Sequence, residues 1–147
     1  MNKKQLVVIG LMILCMQLTL SGCKPVQNRY KIGNFDDDRV VESFLAKFKS
    51  AVINNRRSEV SSMILYPAKA SINGKDIKIN RREEFIKLYD DIFTKELIHK
   101  IASFKNRDMW CNYQGVALND GEVWFGRSCT DCNDIKVIAV GVCRRAD

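Results

Sequence analysis

The chain has a single histidine, His99, and only two prolines among its 147 residues. One imidazole excludes any site built from several, and two prolines exclude a proline-rich spacer. No glycine-rich phosphate loop occurs, and no serine sits in a nucleophile-elbow context. There is no internal repeat and no low-complexity tract. The longest apolar run, residues 6–20, is broken by Gly10, Gln17 and Thr19. It falls short of the about 20 apolar residues that a spanning helix needs.

What that run does have is a setting. Lys3 and Lys4 precede it as a positive n-region, and Leu20-Ser21-Gly22-Cys23 closes it. Charge, apolar run and small residues together read as a signal peptide over residues 1–22. Leu20-Ser21-Gly22-Cys23 resembles the lipobox of bacterial lipoproteins. The resemblance implies cleavage between Gly22 and Cys23 and a diacylglycerol on the Cys23 thiol. An ordinary secretory signal followed by an incidental cysteine is the alternative. Two or three acyl chains anchor firmly where one holds only marginally, so the mature chain is expected to be tethered and not spanning. In enterobacterial lipoproteins an aspartate after the cysteine marks inner-membrane retention. Lys24 stands there instead, which implies the periplasmic face of the outer membrane.

Setting aside the two lysines of residues 1–22 lowers the formal charge from +7 to +5. An exported protein meets little nucleic acid, so the sequence implies none as a partner. Anionic lipid, lipopolysaccharide or an acidic protein face is the attraction such a charge favours, with solubility as the plain alternative. Residues 23–35 lack apolar periodicity and read as a lipidated tether. Residues 36–147 then form a single domain, large enough for one core.

Within it, residues 36–54 place Val41, Phe44, Leu45, Phe48 and Val52 on one helical stripe, with Asp36, Asp37 and Asp38 at the start to cap free amides. Ser58 can cap a second short helix through Val60, Met63 and Ile64, ended by Pro67. Asn73-Gly74 predicts a hairpin between short strands. Asn80 and Glu83 resemble a capping box ahead of a helix carrying Phe85, Ile86, Leu88, Tyr89, Ile92 and Phe93. Thr94 begins a further short helix. Beyond Ser103 the pattern turns to strands: MWCNYQGVAL and EVWFGRS flank Asn119-Asp120-Gly121, and IKVIAVGV closes the domain as a central or well-covered strand.

The expected fold class is α+β, N-terminal helices packed on a curved antiparallel sheet. This order, together with LYPAKASINGKDIKINRREEFIKLYDDIF and GVALNDGEVWF, resembles the nuclear transport factor two-like superfamily, whose sheet wraps helices into a cone. That resemblance implies architecture and nearly nothing of activity. It also implies a homodimer through the sheet as one option.

Enzymes of the superfamily use an acid or base buried in the cone. The candidates are His99, Asp90 and Asp91, and the two aspartates, being adjacent on a helix, point about 100° apart. No catalytic set is expected, nor any cofactor or metal. Four cysteines remain in the domain: Cys111, Cys129, Cys132 and Cys143. Disulfide staples are the first reading, with a zinc half-site and a redox pair at Cys129 and Cys132 as alternatives. With Asp120-Gly121 as the turn, Asn112 falls opposite Cys129 and Cys111 one step away. Cys111 is therefore expected to bond Cys129 or Cys132. Cys143 falls near Asp120 at the other end of the sheet, beyond the about 7 Å between Cα atoms that a bridge to Cys111 allows.

Trp110, Tyr113 and Trp124 are the candidates for holding a partner or ligand. Alternation sends Trp124 to the face opposite Val123 and Phe125, where an exposed tryptophan would anchor a partner. Three functions follow. The first is a lipid-anchored periplasmic binding domain for a protein or envelope component. The second is an immunity or inhibitor protein against a periplasmic toxin or hydrolase. The third is an isomerase or dehydratase that needs His99, Asp90 or Asp91 inside a water-poor cavity.

Overall fold

The computed structural model describes residues 28–118, 120–130, 132 and 134–141. Gly22, Cys23 and Cys143 lie outside them.

The first long helix, α1 (Asp38–Ile53), starts where three aspartates predict it: the Asp37 side chain accepts from the Arg39 amide. Its buried face carries Val41, Leu45, Phe48, Ala51 and Val52. Short α2 (Arg57–Ser62) follows and stops earlier than expected, because β1 (Ile64–Ile72) already begins at Ile64. Ser58 does not cap α2. Its hydroxyl accepts from Arg82 instead. β2 (Lys75–Ile79) returns across Asn73 and Gly74, whose φ values of 52° and 74° give the left-handed turn that this dipeptide favours.

The predicted main helix is two pieces, α3 (Arg82–Lys87) and α4 (Tyr89–Ile92), separated at Leu88. Glu84, and not Glu83, reaches back to accept from the Asn80 amide. Thr94 caps α5 (Lys95–Ser103) by accepting from the Leu97 amide.

The strands that follow are β3 (Trp110–Asn112), β4 (Gly115–Leu118), β5 (Val123–Arg127) and β6 (Ile135–Val140). They join β1 and β2 in one open six-stranded sheet of order β2-β1-β6-β5-β4-β3. The pairing Val116↔Phe125, Ala117↔Trp124 and Leu118↔Val123 is the register that an Asp120-Gly121 turn requires. β6 sits inside the sheet, as its near-continuous apolar run predicts.

Two expectations about the sheet change. The sheet is mixed and not antiparallel, because β6 pairs with β1 in parallel. The register of that pair shifts between Ile64 and Lys69, the stretch that holds Pro67, which has no N–H to give to a ladder. The stretch read as one strand, MWCNYQGVAL, is also a hairpin. Asn112 Oδ1 accepts from the Gln114 amide, and Gly115 (φ 138°) completes the reversal.

Seven rings tie helices to sheet. Tyr66 meets Phe85, Phe85 meets Tyr89 and Phe93, and Phe93 leads through Phe48 to Phe125, which also takes the edge of Phe44. Each such pair adds about 0.5–1.5 kcal/mol beyond its area.

Packing also begins earlier in the chain than the tether reading places it. Tyr30 is 1% exposed and Phe35 is buried. The Asp38 carboxylate accepts from the amides of Arg29 (3.0 Å) and Tyr30 (3.3 Å), and the Arg29 guanidinium donates to the carbonyls of Asn106, Arg107 and Met109. Residues 28–35 form a strap across the domain.

Candidate functional site

Two cavities flank the connection between β5 and β6. The larger is a groove of about 710 Å³ between α1, α2 and the start of β6. Its floor is apolar: Phe44 and Met63 are half-buried and Ile135 is buried. Helical spacing places Val40, Ser43, Phe44 and Lys47 on one side of α1, so one stripe both floors the groove and forms its edge.

The rim carries both signs of charge. Asp37 and Arg39 pair at 2.8 Å, and that guanidinium holds the Asp37 carboxyl below its ordinary range. Lys136 donates to the Ser62 carbonyl at 3.1 Å and lies 3.8 Å from Asp134. Lys47 has no ion-pair partner among the described residues and stands in solvent. An apolar floor under fixed charges can hold an apolar side chain and orient what surrounds it.

The smaller cavity, about 460 Å³, is a cup lined by Asn34, Tyr113, Gln114, Ile138, Cys129 and Thr130 among others. Tyr113, 79% exposed, stands at its mouth on the β3–β4 turn. Gly126 leaves the cup floor to Ile138, whose side chain lies 3.3 Å from where a Cβ on Gly126 would be.

The tryptophans do not serve as the sequence suggests. Trp124 does project from the face opposite its neighbours, yet it is 4% exposed. Its cross-strand neighbours are Ala117 and Ala139, small enough for the indole to lie over them, and the half-buried Trp110 meets it edge-on at 4.9 Å. The β4–β5 turn closes the rest: a Cβ on Gly121 would come within 3.2 Å of the indole nitrogen. Trp124 is a covered residue and not an exposed anchor. Of the three aromatic candidates, only Tyr113 borders either of these two cavities.

His99, Asp90 and Asp91 are all exposed. Asp90 is held by both terminal nitrogens of Arg57, at 2.9 and 2.7 Å, and that guanidinium also lies over the Tyr89 ring. The isomerase or dehydratase reading thus loses the three side chains on which it rested. Among the described residues, no group of three or more His, Cys, Asp or Glu is placed to hold a metal, and no helix is long and apolar enough to cross a membrane.

The cysteine pairing also departs from expectation. Cys129 and Cys132 lie at disulfide distance from each other, and Cys111 has no disulfide partner among the described residues, its thiol donating to the Arg29 carbonyl. The cause is the extra hairpin. Cys111 lies on the outermost strand opposite Val116, so β4 intervenes between it and β5. The groove itself was missed because it joins residues of α1 to residues some 90 positions later, across the parallel pairing that sequence pattern did not reveal.

No protein-family model matches the chain, and no curated protein or solved structure matches it.

Proposed function

We propose that this chain is a non-enzymatic binding domain, anchored by lipid on Cys23 at the periplasmic face of the outer membrane, that takes a protein or envelope partner into the groove between α1, α2 and β6. The observation that carries the reading is that groove: an apolar floor of Phe44, Met63 and Ile135 beneath a rim of mixed charge, with Val40 39% exposed at its edge. Exposed apolar surface beside charge is what a partner's anchor residue needs. The net charge of +5 beyond residue 22 favours an acidic partner face.

The lipid anchor rests on the Leu20-Ser21-Gly22-Cys23 box and the charged, apolar leader before it. We read the fold as a nuclear transport factor two-like cone. Support comes from the order of helices and hairpins and from α1, which lays Phe44 and Phe48 on Phe125 of an open sheet.

The test uses the full chain as bait in envelope extracts, beside Val40→Arg and Lys47→Glu. Both positions are exposed enough to accept the change with the fold intact, as far-ultraviolet circular dichroism would verify. A single stoichiometric partner kept by the parent and lost by both variants is the expected result. Equal capture by all three would overturn the groove as the site. The anchor is tested separately, by the mass of the mature N-terminal peptide: it is expected to begin at a diacylglycerol-bearing Cys23, and Cys23→Ser is expected to leave the leader uncut.

A further inference from the structure

The Cys129–Cys132 bond closes only a four-residue loop, and that loop lies where the chain is already held. Arg127 pairs with Ile135 across the β5–β6 ladder. Directly outside that pair the Ser128 amide donates to the Asp134 carbonyl, and the Ser128 hydroxyl donates to the Asp134 carboxylate, each at 2.9 Å. A cross-link gains most when it closes a long loop. Here it repeats a closure that hydrogen bonds make, so stapling is the weakest account of it.

The two sulfurs are also unequal. Cys129 is exposed and lines the cup, whereas Cys132 is half-buried with its Sγ 3.3 Å from the Ser128 hydroxyl. The Ser128 proton goes to the Asp134 carboxylate, so access is what separates the two sulfurs: an incoming thiol reaches the exposed Cys129, and Cys132 is the sulfur that departs.

We propose that the Cys129–Cys132 disulfide exchanges with thiols of cysteine-containing peptides that enter through the cup, with Cys129 the sulfur attacked. The peptide thiolate bonds to Cys129 Sγ as the Cys129–Cys132 bond breaks. The electron pair goes to Cys132 Sγ, which becomes a thiolate beside Ser128. A second peptide thiol then displaces Cys129 from the mixed disulfide. The net change is oxidation of two peptide thiols to one disulfide and two-electron reduction of the protein pair. Tyr113 and Gln114 on one wall of the cup, and Ile138 on its floor, offer a ring, an amide and an apolar surface to the peptide around its cysteine. This site is separate from the groove, and its failure leaves the binding reading untouched.

The test treats the full chain with reduced glutathione as the peptide thiol and with dithiothreitol as a thiol lacking peptide groups, followed by alkylation and peptide mass mapping. The disulfide is expected to open while circular dichroism stays native. With oxidised glutathione in place of reduced, Cys132→Ser is expected to carry glutathione on Cys129 with release of one glutathione thiolate, and Cys129→Ser to leave Cys132 largely unmodified. Tyr113→Ala is expected to slow reaction with glutathione about fivefold, the loss of one aromatic contact, and to leave dithiothreitol unaffected. Opening only when the domain unfolds, equal trapping on either cysteine, or a Tyr113→Ala variant that treats both thiols alike would each overturn the proposal.

Discussion

Two glycines with positive φ have opposite surroundings. At Gly74 (φ 74°) an added Cβ meets nothing within 4 Å, whereas at Gly115 (φ 138°) it would lie 2.0 Å from the Phe125 carbonyl oxygen. Backbone strain alone costs about 1 kcal/mol at Gly74. At Gly115 strain adds to a clash with the central ladder, where neither backbone can move without breaking the β4–β5 pairing. Urea unfolding is therefore expected to show Gly74→Ala losing about 1 kcal/mol and Gly115→Ala losing about 3 kcal/mol or more.

Buried phenols set an alkaline limit on stability at the same scale. Burial raises Tyr30 and Tyr66 from an ordinary value of 10.0 to about 12, and raises Tyr89 as well. Their folded values lie above the unfolded ones, so the neutral phenols favour folding below pH 10 and that contribution is lost as pH rises toward 12. The unfolding midpoint is expected to fall across this window, and Tyr30→Phe to flatten the fall. A midpoint independent of pH between 10 and 12 in the parent would contradict the burial of these rings. Tyr89 carries a further cost, since its hydroxyl is buried without a hydrogen-bond partner among the described residues. Removing a polar group in that state relieves desolvation, so Tyr89→Phe is expected to raise stability by about 1 kcal/mol.

At the scale of elements, what was legible depended on whether the signal was local. Asp37 at the head of α1, Thr94 at the head of α5, Asn73-Gly74 and Asp120-Gly121 each act within a few residues, and each stands where the sequence puts it. The β3–β4 reversal escaped because Asn112-Tyr113-Gln114-Gly115 works through an Asn side chain and a distant glycine, with no Asn-Gly or Asp-Gly pair to mark it. The parallel β1–β6 pair escaped because periodicity says which face of a strand is buried and not which strand lies beside it. From that one miss followed the groove, and from the extra hairpin followed the misplaced Cys111. Asp38 is a third instance: it reads as one more carboxylate at a helix start, yet its carboxylate also receives the strap amides at 3.0 and 3.3 Å. Asp38→Ala is expected to cost about 2 kcal/mol and to speed hydrogen exchange at Arg29 and Tyr30 before any other amide of the domain. Unchanged exchange there would mean that the strap is held by Tyr30 and Arg29 alone.

For the molecule as a whole, the strap decides where the domain begins and how it stands relative to an anchor. The sequence places the boundary at residue 36, because residues 25–34 show no apolar period. A single buried ring has no period to show, however, and Tyr30 and Phe35 both belong to the core. Burying two large rings that the first boundary would cut away is worth about 3 kcal/mol after allowance for relaxation of the site. A chain beginning at residue 36 is thus expected to melt on the order of 15 °C below one beginning at residue 28, and equal melting temperatures would restore the earlier boundary. The same strap shortens the tether. If Cys23 bears the lipid, the ordered domain starts by residue 28, and five residues reach at most about 18 Å even when fully extended. Charges on the strap side then lie within about two Debye lengths of the bilayer at physiological salt. The basic domain would be held close to anionic headgroups and not displayed far from them. Lengthening the chain between residues 27 and 28 with a flexible glycine-serine insert is accordingly expected to leave the melting temperature unchanged. The same insert is expected to weaken the salt-dependent protection of Arg29 and Lys31 from protease by anionic vesicles, measured on the lipidated protein.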